Sequence, residues 1–389
     1  MIQSNNHRTF TTLPPLSLYV HIPWCVRKCP YCDFNSHAAG KDLPIKDYTA
    51  ALIQDLKQDA HLAQNRKLHS IFFGGGTPSL FPASAIGELI QAASNHIGLS
   101  PDVEITLEAN PGTTEHDSFS KLLSAGINRL SVGVQSFNST HLQTLGRIHS
   151  SENAITAIKS AQDSGFSNIN IDLMHGLPGQ TLNQALSDLE QAINLNTPHL
   201  SWYQLTIEPN TEFYSSPPIL PNADSLWNIQ REGSDALSAA GFNQYEVSAF
   251  CRSNKSCKHN TNYWEFGDYI GIGAGAHGKI TQDNAILRTN KSRLPADYMG
   301  RSKQARFGNQ TTVEARNLPL EFMMNCLRLC EGVPAKYFTE RTGIALSSIA
   351  PSLNKLAERG LMQDFSRQLA TTQQGFTFLD SVLQEFVAD

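Results

Sequence analysis

The chain has 389 residues, 40% of them hydrophobic, and a formal net charge of −5 at pH 7. That is enough apolar material for a sizeable core, in about two domains or one large α/β domain with an appendage. The negative balance argues against a broad nucleic-acid-binding surface, the seven scattered cysteines argue against a secreted disulfide framework, and no apolar run approaches the roughly 18 residues of a membrane-spanning helix. Met1 to Pro15 is polar and carries a single Arg, so neither a secretory signal nor a transit peptide is expected, and the expected compartment is the cytoplasm.

From Leu16 the chain alternates strand, loop and helix. Strands are predicted over Leu16–Ile22, Leu68–Phe73, Val103–Ala109, Arg129–Val134, Asn168–Met174 and His199–Ile207, from apolar and β-branched runs of strand length. Helices are predicted over Ile45–Ala63, Pro82–Ile97, Thr114–Ala125, between Ser139 and Ser164, and over Thr181–Leu195. Six such units imply an α/β fold with a parallel sheet, closed by right-handed crossovers into a partial (β/α)6 TIM-like barrel. A Pro-rich break at Pro217–Pro221 precedes a helix over Asp224–Ala240 and a strand over Tyr245–Phe250. Between Ile286 and Phe307, Arg288, Lys291, Arg293, Arg301, Lys303 and Arg306 face only Asp297. They read as a solvated linker, with a patch for carboxylates, phosphates or an anionic membrane as the sharper alternative. Short helices at Pro319–Leu329, Ala335–Thr342 and Ser347–Arg359, a hairpin from Gly360–Ala370 and Gln374–Phe378, and a helix over Leu379–Phe386 suggest a C-terminal winged-helix-like module. The expected division is 14–215 for the barrel, 216–310 for a flanking extension and 311–389 for that module. Leu346–Leu361 carries only Lys355, Glu358 and Arg359 as charges, a poor recognition helix.

The chemistry concentrates in the loops after the strands, where parallel β/α folds place their functional groups. Cys25, Cys29 and Cys32 follow the first strand at C-x3-C-x2-C spacing. Three thiolates on one short loop can hold three corners of a [4Fe–4S] cubane and leave the fourth iron open for a ligand. Gly74-Gly75-Gly76-Thr77-Pro78 follows the second strand, where consecutive glycines let backbone approach a ligand. Glu108 and Gln135 end the third and fourth strands, Arg147 lies beyond the fourth, and Asp172 lies in the fifth. Carboxylates suit ribose hydroxyls or an ammonium group, and Arg suits a carboxylate.

These motifs together resemble the coproporphyrinogen-oxidase-like radical S-adenosylmethionine (SAM) proteins, and within them the HemW-like haem chaperones. The likeness rests on His21-Ile22-Pro23-Trp24-Cys25, Cys29-Pro30-Tyr31-Cys32-Asp33-Phe34-Asn35-Ser36, Gly74 to Ser79, Gly133-Val134-Gln135-Ser136 and Ile171 to Thr181. It runs from about Leu16 to the terminal module. It implies a radical SAM barrel with cluster ligands Cys25, Cys29 and Cys32. It implies SAM contacts at Tyr19, Tyr31, Gly75, Gly76, Thr77, Glu108, Gln135, Arg147, Asp172 and, on the sixth strand, Thr206. The oxidases of this group have a further cysteine two positions after the third cluster cysteine, where this chain has Phe34. That departure argues against coproporphyrinogen III oxidase activity. The resemblance to the chaperones implies haem as ligand, acceptor haemoproteins (respiratory enzymes at the inner membrane among them) as partners, and the option of a homodimer. A radical SAM enzyme acting on another substrate is the remaining alternative.

Haem needs an axial ligand and an apolar slot. The run His259-Asn260-Thr261-Asn262-Tyr263-Trp264 resembles the HNxxYW stretch of HemW-like proteins, which implies haem contact at His259, Tyr263 and Trp264, with Cys257 a weaker candidate. Cys251, Cys257, His259 and His277 are an irregularly spaced zinc alternative. The glycines between Ile270 and Gly278 lack a following helix and read as tight packing rather than a dinucleotide loop. Cys326 and Cys330, on an apolar helical segment, read as core thiols.

Overall fold

A computed structural model describes residues 10, 12–40, 42–112, 116–301 and 308–388. Six parallel strands pair in sequence order: β1 (Leu16–Ile22), β2 (Leu68–Gly75), β3 (Leu99–Ala109), β4 (Arg129–Gln135), β5 (Ile169–His175) and β6 (His199–Gln204). β1 and β6 do not pair, so the barrel is open, and both edges are extended. Beyond β6 lie β8 (Ala249–Cys251) and β7 (Asn243–Glu246), both antiparallel additions. Beyond β1 lie β9 (Asp268–Ile272), parallel to it, and then the antiparallel strands β10 (His277–Gln282), β11 (Ala285–Lys291) and β12 (Gly308–Thr312). The result is one twelve-stranded sheet.

Period-2 alternation decides what each face carries. Leu18, Val20, Ile71, Phe73, Ile105, Leu107, Leu130, Val132, Ile169, Ile171, Leu200 and Trp202 point outward into the main core beneath the helices. The other parity points inward and is polar: Ser17 and Tyr19, Ser70, Glu104 and Glu108, Arg129 and Ser131, Asn170 and Asp172, His199 and Ser201. This inverts the usual barrel, whose interior is filled by branched apolar side chains. The outer helices start where local chemistry allows. α4 (Ser151–Asp163) and α5 (Leu182–Asn194) carry reciprocal capping boxes at Ser150/Asn153 and Thr181/Gln184. On α6 (Ala223–Ala239), Gly233 lets Trp202 seat, since a Cβ there would lie 2.0 Å from the indole ring.

Several expectations are corrected. Tyr245–Phe250 is not one strand: β7 and β8 are separated by a turn and pair antiparallel. The sixth strand ends at Gln204 rather than Ile207. The basic stretch is not a linker over its first half. It forms β11, and Lys291 is buried at 2.6 Å from both Asp55 and Asp59 of α1 (Ile45–Asp59), while Arg288 pairs with Glu321. Lys303 and Arg306 lie outside the described residues. In the C-terminal module Gln374–Phe378 is no hairpin arm: Gln373–Thr377 is helical, and the short strand Gln368–Leu369 pairs instead with Val333–Pro334. That module has its own core, around Phe322, Met323, Phe338, Leu353, Leu356 and Val382, which reaches Phe266 and Ile286 of the sheet extension.

Candidate cluster and cofactor site

The cysteine loop is tied down on both sides. Trp24 and Cys25 form a two-residue parallel ladder with His37 and Ala38, and the Cys32 N–H donates to the Cys29 carbonyl at 3.2 Å. All three cysteines are unpaired, half-buried, and line one cleft of about 280 Å³ at the carboxyl ends of the strands. Burial raises the Cys25 and Cys32 thiols, and hydrogen bonds from Thr77 and Ser36 act the other way at Cys25. Among the described residues no three His, Cys, Asp or Glu side chains are placed to share one metal ion. In a cubane each thiolate takes a separate iron, and the three cysteines present their thiols to one cleft. Coordination would override the burial effect, because a metal-bound thiol deprotonates outright.

Gly75, Gly76 and Thr77 pack against this loop. A Cβ on Gly76 would lie 2.5 Å from the Trp24 carbonyl, and Gly75 has φ +120 beside the His21 ring. Their N–H groups are already spent: Gly75 on Glu108 Oε2 at 3.1 Å, Gly76 on the Ile22 carbonyl, Thr77 on the Trp24 carbonyl. These three backbone donors are therefore spent, and the backbone of the segment meets a ligand with its acceptors, which suits an ammonium group. Across the cleft Arg147 donates to Asn110 Oδ1 at 2.6 Å and to the Gly133 carbonyl at 2.7 Å, and lies 3.7 Å from Cys29 Sγ. Asn110 also donates to Thr77 Oγ1. Gln135 holds φ +70, a conformation non-glycine residues adopt at a cost, and accepts from the Tyr203 hydroxyl at 2.8 Å. Burial, reinforced by the Asp172 charge, pushes Glu108 up to about 8. Burial also raises Asp172, opposed by hydrogen bonds from Ser131 and Asn170.

Cys25, Cys29, Cys32, Tyr31, Gly75, Gly76, Thr77, Glu108, Gln135, Arg147 and Asp172 all line this cleft. Thr206 does not: it is exposed beyond the end of β6, and Tyr203 faces the cleft instead. Strand parity through His199, Ser201 and Tyr203 carried that signal. Asn110, two residues past Glu108 on the same strand end, was equally readable. Phe34 is 59% exposed at the mouth.

Tyr19 lies lower, in a second chamber of about 210 Å³ at the amino ends of the strands. The chamber shares Glu108, Ser131 and Asp172 with the cleft. Its base is closed by α7 (Lys258–Trp264), which carries the HNxxYW run. Asn262 donates to Ser17 Oγ and the Asp268 carbonyl, and Lys258 pairs with Asp102, so the helix is pinned to the first residues of the strands. His259 is 1% exposed. Its Nδ1 is bonded to Ser70 Oγ at 3.0 Å and its Nε2 to the Tyr263 hydroxyl at 2.8 Å, and burial pushes it down to about 3. Both ring nitrogens are engaged, and a chamber below the roughly 300–1,000 Å³ of drug-sized pockets is too small for a porphyrin. Trp264 points elsewhere, under the Arg328 guanidinium and against the C-terminal core. The zinc grouping fails on topology: Cys251 is on β8 and His277 on β10, at opposite edges of the sheet. The glycines before His277 are packing positions, since a Cβ on Gly271 or Gly273 would strike the His277 or His21 carbonyl. Cys326 is buried in the C-terminal core, and Cys330 is half-buried just past its helix.

Residues 19–192 match the radical SAM superfamily, and residues 313–378 match the HemN C-terminal domain. The heme chaperone HemW of Escherichia coli (strain K12) is 51% identical over 379 residues, spanning 97% of this chain and 99% of that protein. The chain belongs to the HemW family of radical SAM proteins. The heme chaperone HemW of Haemophilus influenzae is 48% identical and that of Bacillus subtilis 34% identical, each over at least 96% of this chain and 99% of the relative. Coproporphyrinogen III oxidase (HemN) from Escherichia coli, a radical SAM enzyme, superposes with TM-score 0.80 over 98% of this chain and 96% of that one at 22% identity, which shows the shared fold.

Proposed function

We propose that this chain is a haem chaperone: it binds haem and passes it to acceptor haemoproteins, while carrying a [4Fe–4S] cluster with SAM at the open iron. The single observation that carries the reading is the end-to-end similarity to HemW proteins at 51% identity. Cys25, Cys29 and Cys32 are assigned to the cluster. Gly75, Gly76, Thr77, Glu108, Gln135, Arg147 and Asp172 are assigned to SAM, supported by the cleft they share with the thiols. When bound, the cluster would supply an electron to the sulfonium of SAM. The chain's own part is to hold that pair beside Arg147 and the buried carboxyl groups. Phe34, where the oxidases have a cysteine, supports the chaperone over the oxidase reading.

Haem contact is assigned to the His259, Tyr263 and Trp264 stretch. In the described conformation His259 must give up Ser70 or Tyr263 to reach iron, so the reading requires α7 to shift as haem binds. The division into 14–215, 216–310 and 311–389 is kept as a functional one: cluster and SAM, haem, and acceptor contact. The proposed setting is the cytoplasm and the face of the inner membrane, with respiratory haemoproteins among the acceptors and a homodimer as the working unit. Among the described residues no helix is long and apolar enough to cross a membrane. The deciding experiment loads the protein with haem and follows transfer to an apo-haemoprotein. Transfer is expected. Its absence, together with decarboxylation of coproporphyrinogen III under anaerobic conditions, would favour the oxidase.

A further inference from the structure

The cation at the floor of the lower chamber is unaccounted for by cluster, SAM or haem. Arg129 opens β4 with its side chain turned inward and is 2% exposed. Its ion pair is a long one, to Glu104 at 3.9 Å. Its Nε has no hydrogen-bond partner, and no hydrogen bond from either terminal nitrogen is present among the described residues. A buried guanidinium that lacks a close acceptor is costly. Yet Arg129 lines a 210 Å³ chamber, so acceptors can come from whatever fills it.

The surrounding groups narrow the occupant. Glu104 is drawn away from Arg129 by the His259 N–H and the Cys257 thiol. Asn170, Ser131 and Ser201 are bonded to one another and to Asp172. His259 and Tyr263 bond each other. These groups have spent their strong donors internally, so among the described lining residues the planar fork of Arg129 is the one charged donor set facing the space, with the Asn260 amide beside it as a neutral donor. A carboxylate is the complementary acceptor, because its two oxygens match that fork bidentately. The upper wall carries the carboxyl groups of Glu108 and Asp172, and Arg129 is the one cationic side chain among the described lining residues, so a second anionic group on the ligand would find no cation there. The Phe72 ring on the side wall suits a short apolar stem.

We propose that this chamber is a carboxylate site in which Arg129 grips a single carboxylate, either of a small organic acid or of the arm of a larger ligand reaching down through the cleft. Because the chamber and the cleft share Glu108, Ser131 and Asp172, the stem of that ligand lies next to the SAM site. The inference does not require His259 to ligate iron.

The test uses the full-length, anaerobically reconstituted protein and two probes. One is [1-13C]propionate, followed by its carboxyl resonance; the other is haem, followed by Soret absorption. Wild type is compared with Arg129→Gln and Arg129→Lys, with iron content and circular dichroism as folding controls. Saturable propionate binding that weakens at least tenfold in Arg129→Gln supports a free-acid site. No propionate binding, with haem affinity at least tenfold weaker in Arg129→Gln, supports a carboxylate arm. Arg129→Lys keeps the charge but loses the fork, and is expected to bind several-fold more weakly than wild type. It also decides the matter should the glutamine variant not fold: wild-type binding of both probes by Arg129→Lys overturns the proposal. Binding of both probes unchanged in Arg129→Gln overturns it too.

Discussion

At the carboxyl ends of the barrel strands, polar groups are held in position without being exhausted. The three thiols are half-buried and unpaired, Glu108 is kept from ionising by burial, and Gln135 is held at φ +70. At the amino ends, the same strands present polar groups that are almost wholly bonded to one another: Ser17 to Ser70, Ser70 to His259, His259 to Tyr263, Asn170 to His199. The upper end behaves as a site awaiting ligands and the lower end as a satisfied polar core, with Arg129 as its exception. Inward-facing polarity is therefore not by itself a mark of function. What separates the two ends is that the upper one brings three thiols to an open cleft, whereas the lower one is closed over a hydrogen-bonded network.

The sharpest break between the ends should come from the cluster. Cys29→Ala removes one of three thiolates, and the broad iron–sulfur absorption of the reconstituted protein should disappear, whereas Cys326→Ala, in the C-terminal core, should retain it. Full cluster assembly in Cys29→Ala would contradict the ligand assignment.

At the lower end, His259→Ala removes one of two partners of Ser70, which keeps Ser17, and the partner of the Tyr263 hydroxyl, and denaturant unfolding should show a loss of about 3 kcal/mol. The same residue sets a pH dependence. Its folded pKa, about 3, lies below the unfolded value of 6.5, so its contribution is fully present above about 6.5 and is lost as pH falls toward 3, by about 1.4 kcal/mol per unit. A His259→Ala melting profile as steep as wild type over that window would show that the buried imidazole is not the source.

Asp172 belongs to both ends. Asp172→Ala should weaken SAM binding by about 1–3 kcal/mol in calorimetry, the scale of a lost charge-assisted hydrogen bond, and leave iron content unchanged. Unaltered affinity would remove it from the cleft's binding groups.

Glu108 should give a pH slope of similar size to that of His259 and opposite sign. Its folded pKa, about 8, lies above the unfolded value of 4.5, so its contribution is full below about 4.5 and is lost as pH rises through 8. Glu108→Gln should flatten thermal stability between pH 5 and 8 in SAM-free protein while lowering SAM affinity. An unchanged slope would place the titration elsewhere.

By itself the sequence determined what short-range physics encodes. Alternating apolar residues in each strand fixed which face packs under the helices. Capping residues such as Ser150 and Thr181 fixed helix starts, and the spacing of Cys25, Cys29 and Cys32 fixed three donors on one loop. Motifs at strand ends could be assigned to one mouth because parallel β/α topology leaves those ends nowhere else to go. Only the tertiary structure decided the rest, because it depends on partners far away in the chain. The Gly75, Gly76 and Thr77 N–H groups are consumed by Glu108 and the cysteine loop. Lys291 is a buried ion-pair partner of α1 rather than a linker charge because β11 carries it there. His259 and Trp264 are five residues apart on one short helix, yet one plugs the barrel and the other packs on Arg328, since successive helical positions face different neighbours. Arg129 reads as any strand-edge arginine in the sequence. Its isolation over an open chamber follows from where Glu104 is held, 25 residues away, by Cys257 and His259.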